Sequence, residues 1–156
     1  MPTKYWLIKS EPEVFSIDDL AKAKNQTTHW DGVRNYQARN FIRDDMKRGD
    51  KVLFYYSNSE PNAIAGICEV IKEAYPDSSA FDPKYIHYDP KSKKDSPTWF
   101  MVDIKFVKKL SRVIPLSEIK SNKKLQKMRL VQPGNRLSVM PVTKEEFEEI
   151  EKMASP

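Results

Sequence analysis

The apolar positions of this chain fall into two kinds of pattern. Short runs rich in aromatic and β-branched residues read as strands: Tyr5-Trp6-Leu7-Ile8, ended by Ser10-Glu11-Pro12; Lys51 to Ser57; Ala63 to Ile71; and a last short run from Arg136 to Val142. Gly66 stands inside the third run and marks a bulge or a close backbone approach. From Trp99 to Val107 the pattern alternates, with Phe100, Val102, Ile104 and Phe106 on one face and Asp103 and Lys105 on the other.

Other segments carry helix signals. Ser16-Ile17-Asp18-Asp19 has the spacing of a capping box, a hydroxyl followed three residues later by a carboxylate. Asn35 is placed to cap a helix bearing Tyr36, Phe41, Ile42 and Met46, with Gly49 past its end. Pro115 opens a short helix through Ile119, and Leu125 to Met128 suits another helical turn. Thr143-Lys144-Glu145-Glu146 is a second capping box, opening a final helix with Phe147, Ile150 and Met153 at helical spacing. Residues 25–35 and the proline-rich 76–97 read as loops. The strands do not alternate regularly with long helices, which argues against a parallel βαβ sheet. The pattern predicts one α+β domain built on a small mixed or antiparallel barrel.

Composition narrows the chemistry. A chain of 156 residues suits one domain. Cys68 stands alone, so no disulfide forms within the chain. The glycines are Gly32, Gly49, Gly66 and Gly134, each isolated, so neither a P-loop nor a dinucleotide fingerprint is present. No apolar run approaches the roughly 20 residues of a membrane helix, and the opening MPTKYWLIKSEPE is not a signal peptide. His29, His87 and Cys68 lack metal-ligand spacing. Asp18-Asp19 and Asp44-Asp45 are adjacent pairs whose side chains diverge on helix surfaces, and no nucleophile elbow appears. Nothing in the sequence argues for an enzyme.

Charge is more informative by position than in total. The net is +5, yet residues 101–142 hold 10 basic and 2 acidic side chains, a local +8, and residues 143–156 hold 2 and 5, a local −3. The basic segment is either a solvated face balanced by the acidic tail or a rim that contacts phosphate. A second candidate is the loop Trp30-Asp31-Gly32-Val33-Arg34-Asn35-Tyr36, where a π-face, a guanidinium fork and an amide suit a planar heterocycle. Its alternative is structural, with Trp30 capping the barrel and Arg34 paired with Asp31.

Long stretches of the chain resemble the EVE domain family, in particular its thymocyte nuclear protein group and their bacterial relatives. They are Lys9-Ser10-Glu11-Pro12, Trp30 through Phe41, Phe54-Tyr55-Tyr56-Ser57-Asn58, Glu73-Ala74-Tyr75-Pro76-Asp77, His87-Tyr88-Asp89-Pro90 and Arg136-Leu137-Ser138-Val139-Met140-Pro141. They occur in order over nearly the whole length. The Lys120–Asn135 stretch is shorter than in animal members and no long basic tail precedes the domain, which suggests a bacterial-type, cytoplasmic protein.

The resemblance implies a PUA-like pseudo-barrel of five or six strands with peripheral helices. It also implies a non-catalytic reader of DNA or RNA that holds a modified base, such as methylated or hydroxymethylated cytosine, in an aromatic pocket. Carried onto this chain, the pocket comprises Ser10, Trp30, Val33, Asn35, Tyr36, Ser57, Arg136, Leu137 and Ser138. Lys9, Arg34, Lys108, Lys109, Arg112, Lys123 and Lys124 are the expected phosphate contacts. No cofactor, metal or membrane partner is expected. The alternatives are an enzyme or accessory of nucleic-acid modification, and a sensor of free nucleosides. Stacking one base gains about 1–3 kcal/mol, while extruding it costs a few kcal/mol. Net affinity therefore depends on phosphate contacts or on a strand that is already single.

Overall fold

The computed structural model describes residues 3–155, and within them six strands form one mixed sheet. These are β1 (Tyr5–Ser10), β2 (Thr27–Trp30), β3 (Lys51–Tyr56), β4 (Ala63–Pro76), β5 (Phe100–Pro115) and β6 (Val139–Val142), in the spatial order β2-β5-β4-β3-β1-β6. The helices are α1 (Ile17–Lys22), α2 (Tyr36–Asn40, continued by a wider π turn over Phe41–Asp45), α3 (Leu116–Ser121) and α4 (Lys144–Ala154). The α+β class and the mixed sheet agree with the sequence expectation.

The near-continuous apolar runs of β1 and β3 follow from burial on both faces. Trp6, Ile8, Val52 and Phe54 enter one apolar cluster with Ile17, Leu20 and Ile42. Leu7, Leu53 and Tyr55 enter a second with Ile119, Phe147 and Ile150. β1 and β3 pair in parallel from Tyr5↔Lys51 to Ser10↔Tyr56, so both strands finish at the same edge of the sheet. All other pairings are antiparallel. The hairpin of β4 and β5 slips register at Ile64/Gly66, Ile67/Cys68, Val70/Lys72 and Lys72/Tyr75, and such bulges bend and twist a long ribbon.

Several elements differ from expectation. Residues 27–30, expected as loop, form β2; Thr27-Thr28-His29-Trp30 pairs only with β5, and a half-exposed edge strand leaves no alternating signal. β4 and β5 run well past their apolar segments, to Pro76 and Pro115, because the end of each pairs with the start of the other and the end of β5 also buries Leu110 and Ile114. The last strand begins at Val139 rather than Arg136. Leu125 ends one short 3₁₀ turn and Arg129–Val131 form another. Both capping boxes form as the sequence predicts, and Asn35 Oδ1 accepts from the Ala38 amide at 2.9 Å. Gly66 combines both anticipated roles: it lies at a bulge, and a Cβ there would stand 2.5 Å from Ile17 and 2.9 Å from the Lys108 carbonyl oxygen.

The 77–99 loop is fastened to the segment before α2 by one buried carboxylate. Asp77 Oδ2 accepts from the Gly32 amide at 2.8 Å and from Arg34 Nη1 at 3.0 Å, and Oδ1 accepts from the Ser79 amide at 2.9 Å and the Ser79 hydroxyl at 2.5 Å. The His87 carbonyl accepts from Arg34 Nε at 3.0 Å and Nη2 at 2.6 Å. Gly32 has φ +78°, and a Cβ there would fall 2.6 Å from the His87 ring. Burial alone would raise the Asp77 pKa; the hydrogen bonds from Ser79, Gly32 and Arg34, with the Arg34 charge, outweigh it and hold the carboxyl below its ordinary range.

Two predictions follow from this packing. Gly66→Ala forces Ile17 and the β5 backbone apart, and should destabilise the fold by about 1–3 kcal/mol, read as a lower thermal midpoint with an unchanged far-ultraviolet spectrum. Asp77 has a depressed folded-state pKa, so its contribution is complete above the unfolded value near 4 and is lost as pH falls through the lower folded value. Asp77→Asn should therefore cost about 3 kcal/mol at pH 7, and the gap to the wild type should close on acidification. Thermal melts from pH 7 down to 2.5 measure both; a gap constant with pH would contradict the assignment.

Candidate functional site

The parallel pairing of β1 and β3 brings Lys9, Ser10 and Ser57 to one rim, where the Ser57 amide donates to the Ser10 carbonyl at 3.0 Å. The segment before β6 joins them, the Lys9 amide donating to the Ser138 carbonyl at 3.0 Å. Facing this rim are the end of β2 and the segment that follows, from Thr28 to Val33. Between them lies a cleft of about 530 Å³, within the usual range for small-molecule sites.

Aromatic side chains form one wall. Trp30 meets Phe54 edge-on, with centroids 5.7 Å apart and planes at 75°, and meets Phe15 at 6.2 Å and 65°. Phe54 is fully buried, so the half-buried Phe15 and Trp30 present the aromatic surface to the cleft. Phe15 is held by a turn in which its amide donates to the Glu11 carbonyl at 2.9 Å and its carbonyl accepts from the Ser10 hydroxyl at 2.6 Å. His87 closes the side above Gly32. Polar groups around the opening are Ser57, Asn58, Ser138, His29 and Asp31, and Asn58 Nδ2 donates to Glu11 at 2.6 Å.

Lys9 is the cation of the cleft. Burial pushes its pKa below the usual lysine value, and none of the ion pairs among the described residues involves it. A partly desolvated, unpaired ammonium favours an anionic ligand group. Among the described residues, no three His, Cys, Asp or Glu side chains converge to hold a metal ion.

The structure gathers Lys9, Ser10, Trp30, Val33, Ser57 and Ser138 of the expected residues around this cleft. Others stand elsewhere. Asn35 is occupied as the cap of α2. Tyr36 lies over Trp99 with centroids 5.0 Å apart, and the Arg39 guanidinium lies over the Tyr36 ring at 5.2 Å from its centroid. Arg136 and Leu137 line a separate shallow hollow with Asn35. Arg34, expected either on phosphate or paired with Asp31, is instead engaged by Asp77, Ser79 and the His87 carbonyl, with its guanidinium 5.3 Å from the Trp99 ring centroid.

The basic segment is partly neutralised by the chain itself. Lys109 pairs with Asp18 at 3.0 Å, Arg112 with Glu118 at 2.8 Å, and Lys124 approaches Glu149 of α4 at 3.9 Å. Lys108 lies with Lys109 in a hollow beside the end of α4, and Lys123 is exposed on a 3₁₀ turn. None of these five lines the cleft. Sequence reasoning missed Phe15, His29, His87 and Asn58. Phe15 lies between two polar turns without a periodic neighbour, and His87 reaches the cleft only through contacts with Gly32 and Arg34, more than 50 residues away.

No helix among the described residues is long and apolar enough to cross a membrane. The EVE domain model matches residues 4–153. Human thymocyte nuclear protein 1 is 46% identical over 162 residues, covering 94% of this chain and 72% of the human one. The crystal structure of human THYN1 protein in complex with 5-methylcytosine containing DNA superposes with a TM-score of 0.93 at 46% identity, covering 99% of each chain. A hypothetical protein from Leishmania major superposes at 0.92 with 50% identity, covering 98% of this chain and 95% of that one. A family model that matches nearly the whole chain, with sequence and backbone shared over the same length, shows the family: the chain belongs to the EVE domain family.

Proposed function

We propose that this protein is a non-catalytic reader that binds DNA and holds a modified cytosine, with 5-methylcytosine the first candidate, in the cleft at the ends of β1, β2 and β3. The observation that carries this reading is the cleft itself, with an aromatic wall and one unpaired ammonium at its rim. It receives support from the human relative crystallised with 5-methylcytosine containing DNA on the same backbone frame.

The roles divide by chemistry. Phe15 and Trp30 offer surface to a flat base, worth about 1–3 kcal/mol. The hydroxyls of Ser57 and Ser138 and the Asn58 amide supply partners for a base edge. Lys9 meets the phosphate beside the everted nucleotide. Lys109, Arg112 and Lys124 of the 101–142 segment are paired within the chain, and the other basic side chains of that segment add to the attraction of Lys9 for phosphate. Burying one methyl group adds about 0.8 kcal/mol, so shape alone yields a preference of about fourfold for the methylated base.

Titrating labelled oligonucleotides with and without 5-methylcytosine, at several salt concentrations, tests these roles. The wild type should prefer the methylated strand by about fourfold, and equal affinity for both would overturn the reading. Lys9→Ala should weaken binding to both alike and reduce the slope of log affinity against log salt by about 1. Trp30→Ala should abolish the preference while leaving the salt slope unchanged.

A further inference from the structure

The 82–89 loop, which supplies His87 to the cleft, exposes apolar side chains at its tip. Ile86 is 93% exposed and Tyr85 58%. Isolated surface aliphatics are ordinary, but this one sits on a braced turn beside the site. The Tyr85 amide donates to the Asp82 carbonyl at 3.0 Å, the Tyr88 amide to the Tyr85 carbonyl at 3.1 Å, and the Asp89 amide to the Ala80 carbonyl at 3.0 Å. Asp82 Oδ1 accepts from the Lys84 amide at 3.0 Å. Immediately after Ile86, the His87 carbonyl is gripped by Arg34 and its ring lies over Gly32. The tip is therefore held outward at a fixed distance from the cleft.

Charge on this loop and on the residues that follow it indicates what it meets. Lys84, Lys91, Lys93 and Lys94 are exposed, and none takes part in an ion pair among the described residues. Asp89, by contrast, is turned inward, accepting from Trp99 Nε1 at 2.6 Å and from the Lys91 amide at 2.9 Å. Asp95, beside Lys94, is the exposed acid of this stretch, against four exposed lysines; an apolar tip on such a segment suits a nucleic-acid duplex, with phosphates outside and a base stack within. On the opposite rim Val14, 74% exposed, follows the Glu11 turn and also borders the cleft.

We propose that Ile86 is a wedge: it enters the base stack of duplex DNA and fills the gap left when a nucleotide turns out into the cleft, while the loop lysines meet the adjoining phosphates. This inference rests on the reader function proposed above. Unstacking a step is costly, and apolar side chains inserted between bases are a known way to offset that cost. A single strand has no such gap, so the wedge acts on duplex binding alone.

The test compares wild type, Ile86→Ala and Ile86→Leu on a duplex carrying one 5-methylcytosine and on the corresponding single strand. Ile86→Ala should weaken duplex binding about tenfold, leave single-strand binding and the thermal midpoint unchanged, and keep the preference for methylated over plain DNA. Ile86→Leu should restore most of the duplex affinity. Unchanged duplex binding by Ile86→Ala, or equal loss on duplex and single strand, would overturn the wedge while leaving the reader intact. A wild type that binds methylated and plain DNA equally would overturn the reader, and the wedge with it.

Discussion

The site depends on one buried negative charge. Asp77 has no exposed side-chain surface, and four donors converge on its two oxygens. A carboxylate taken out of water without such partners would be strongly destabilising; with them it becomes a joint between two loops that share no strand pairing. The joint fixes Gly32 at the turn after Trp30 and presents Arg34 to the His87 carbonyl. The aromatic wall and the His87 side of the cleft therefore hold their separation without help from a ligand. A pocket arranged beforehand loses less conformational entropy on binding.

The opposite rim of the cleft is positioned by strand pairing, with Ser57, Asn58 and Ser138 in the segments just outside β3 and β6. Because β1 and β3 run in the same direction, Lys9, Ser10 and Ser57 meet at one rim, and the same pairing buries both faces of these strands in two cores. Lys9 and Ser10 thus stand on a strand anchored in both cores. Electrostatics follows position as well: Lys109, Arg112 and Lys124 pair with nearby carboxylates away from the cleft, while Lys9 lines it without an ion-pair partner among the described residues.

What the sequence made legible was whatever is local. Capping boxes, the Asn35 cap, the alternation of β5 and the special role of Gly66 all depend on neighbours a few residues away or on a single steric demand. The long EVE-like motifs carried the family and most of the rim residues. What stayed hidden were pairings across 43 to 53 residues, such as Arg34 with Asp77 and with the His87 carbonyl. The nearest acid, Asp31, was the natural but mistaken partner. Tyr36 and Asn35 sit in a motif that looks like a pocket lining, yet their side chains are used to seat α2 and cover Trp99. Net charge along the chain likewise takes no account of which carboxylates fold back on it, as Asp18, Glu118 and Glu149 do on three cations of the +8 segment.

The position of β1 between β3 and β6 has a consequence for the order in which the molecule is made. β1 is made before both of its partners and waits for residues 51–56 on one side and for residues 139–142 on the other, and such long-range closures are slow compared with local ones. The hairpin of β4 and β5 can form as soon as it is synthesised. The rim of the cleft, which needs Lys9 against Ser138, is completed only after the residues leading into β6 have emerged, so a nascent chain stalled before β6 has no finished cleft.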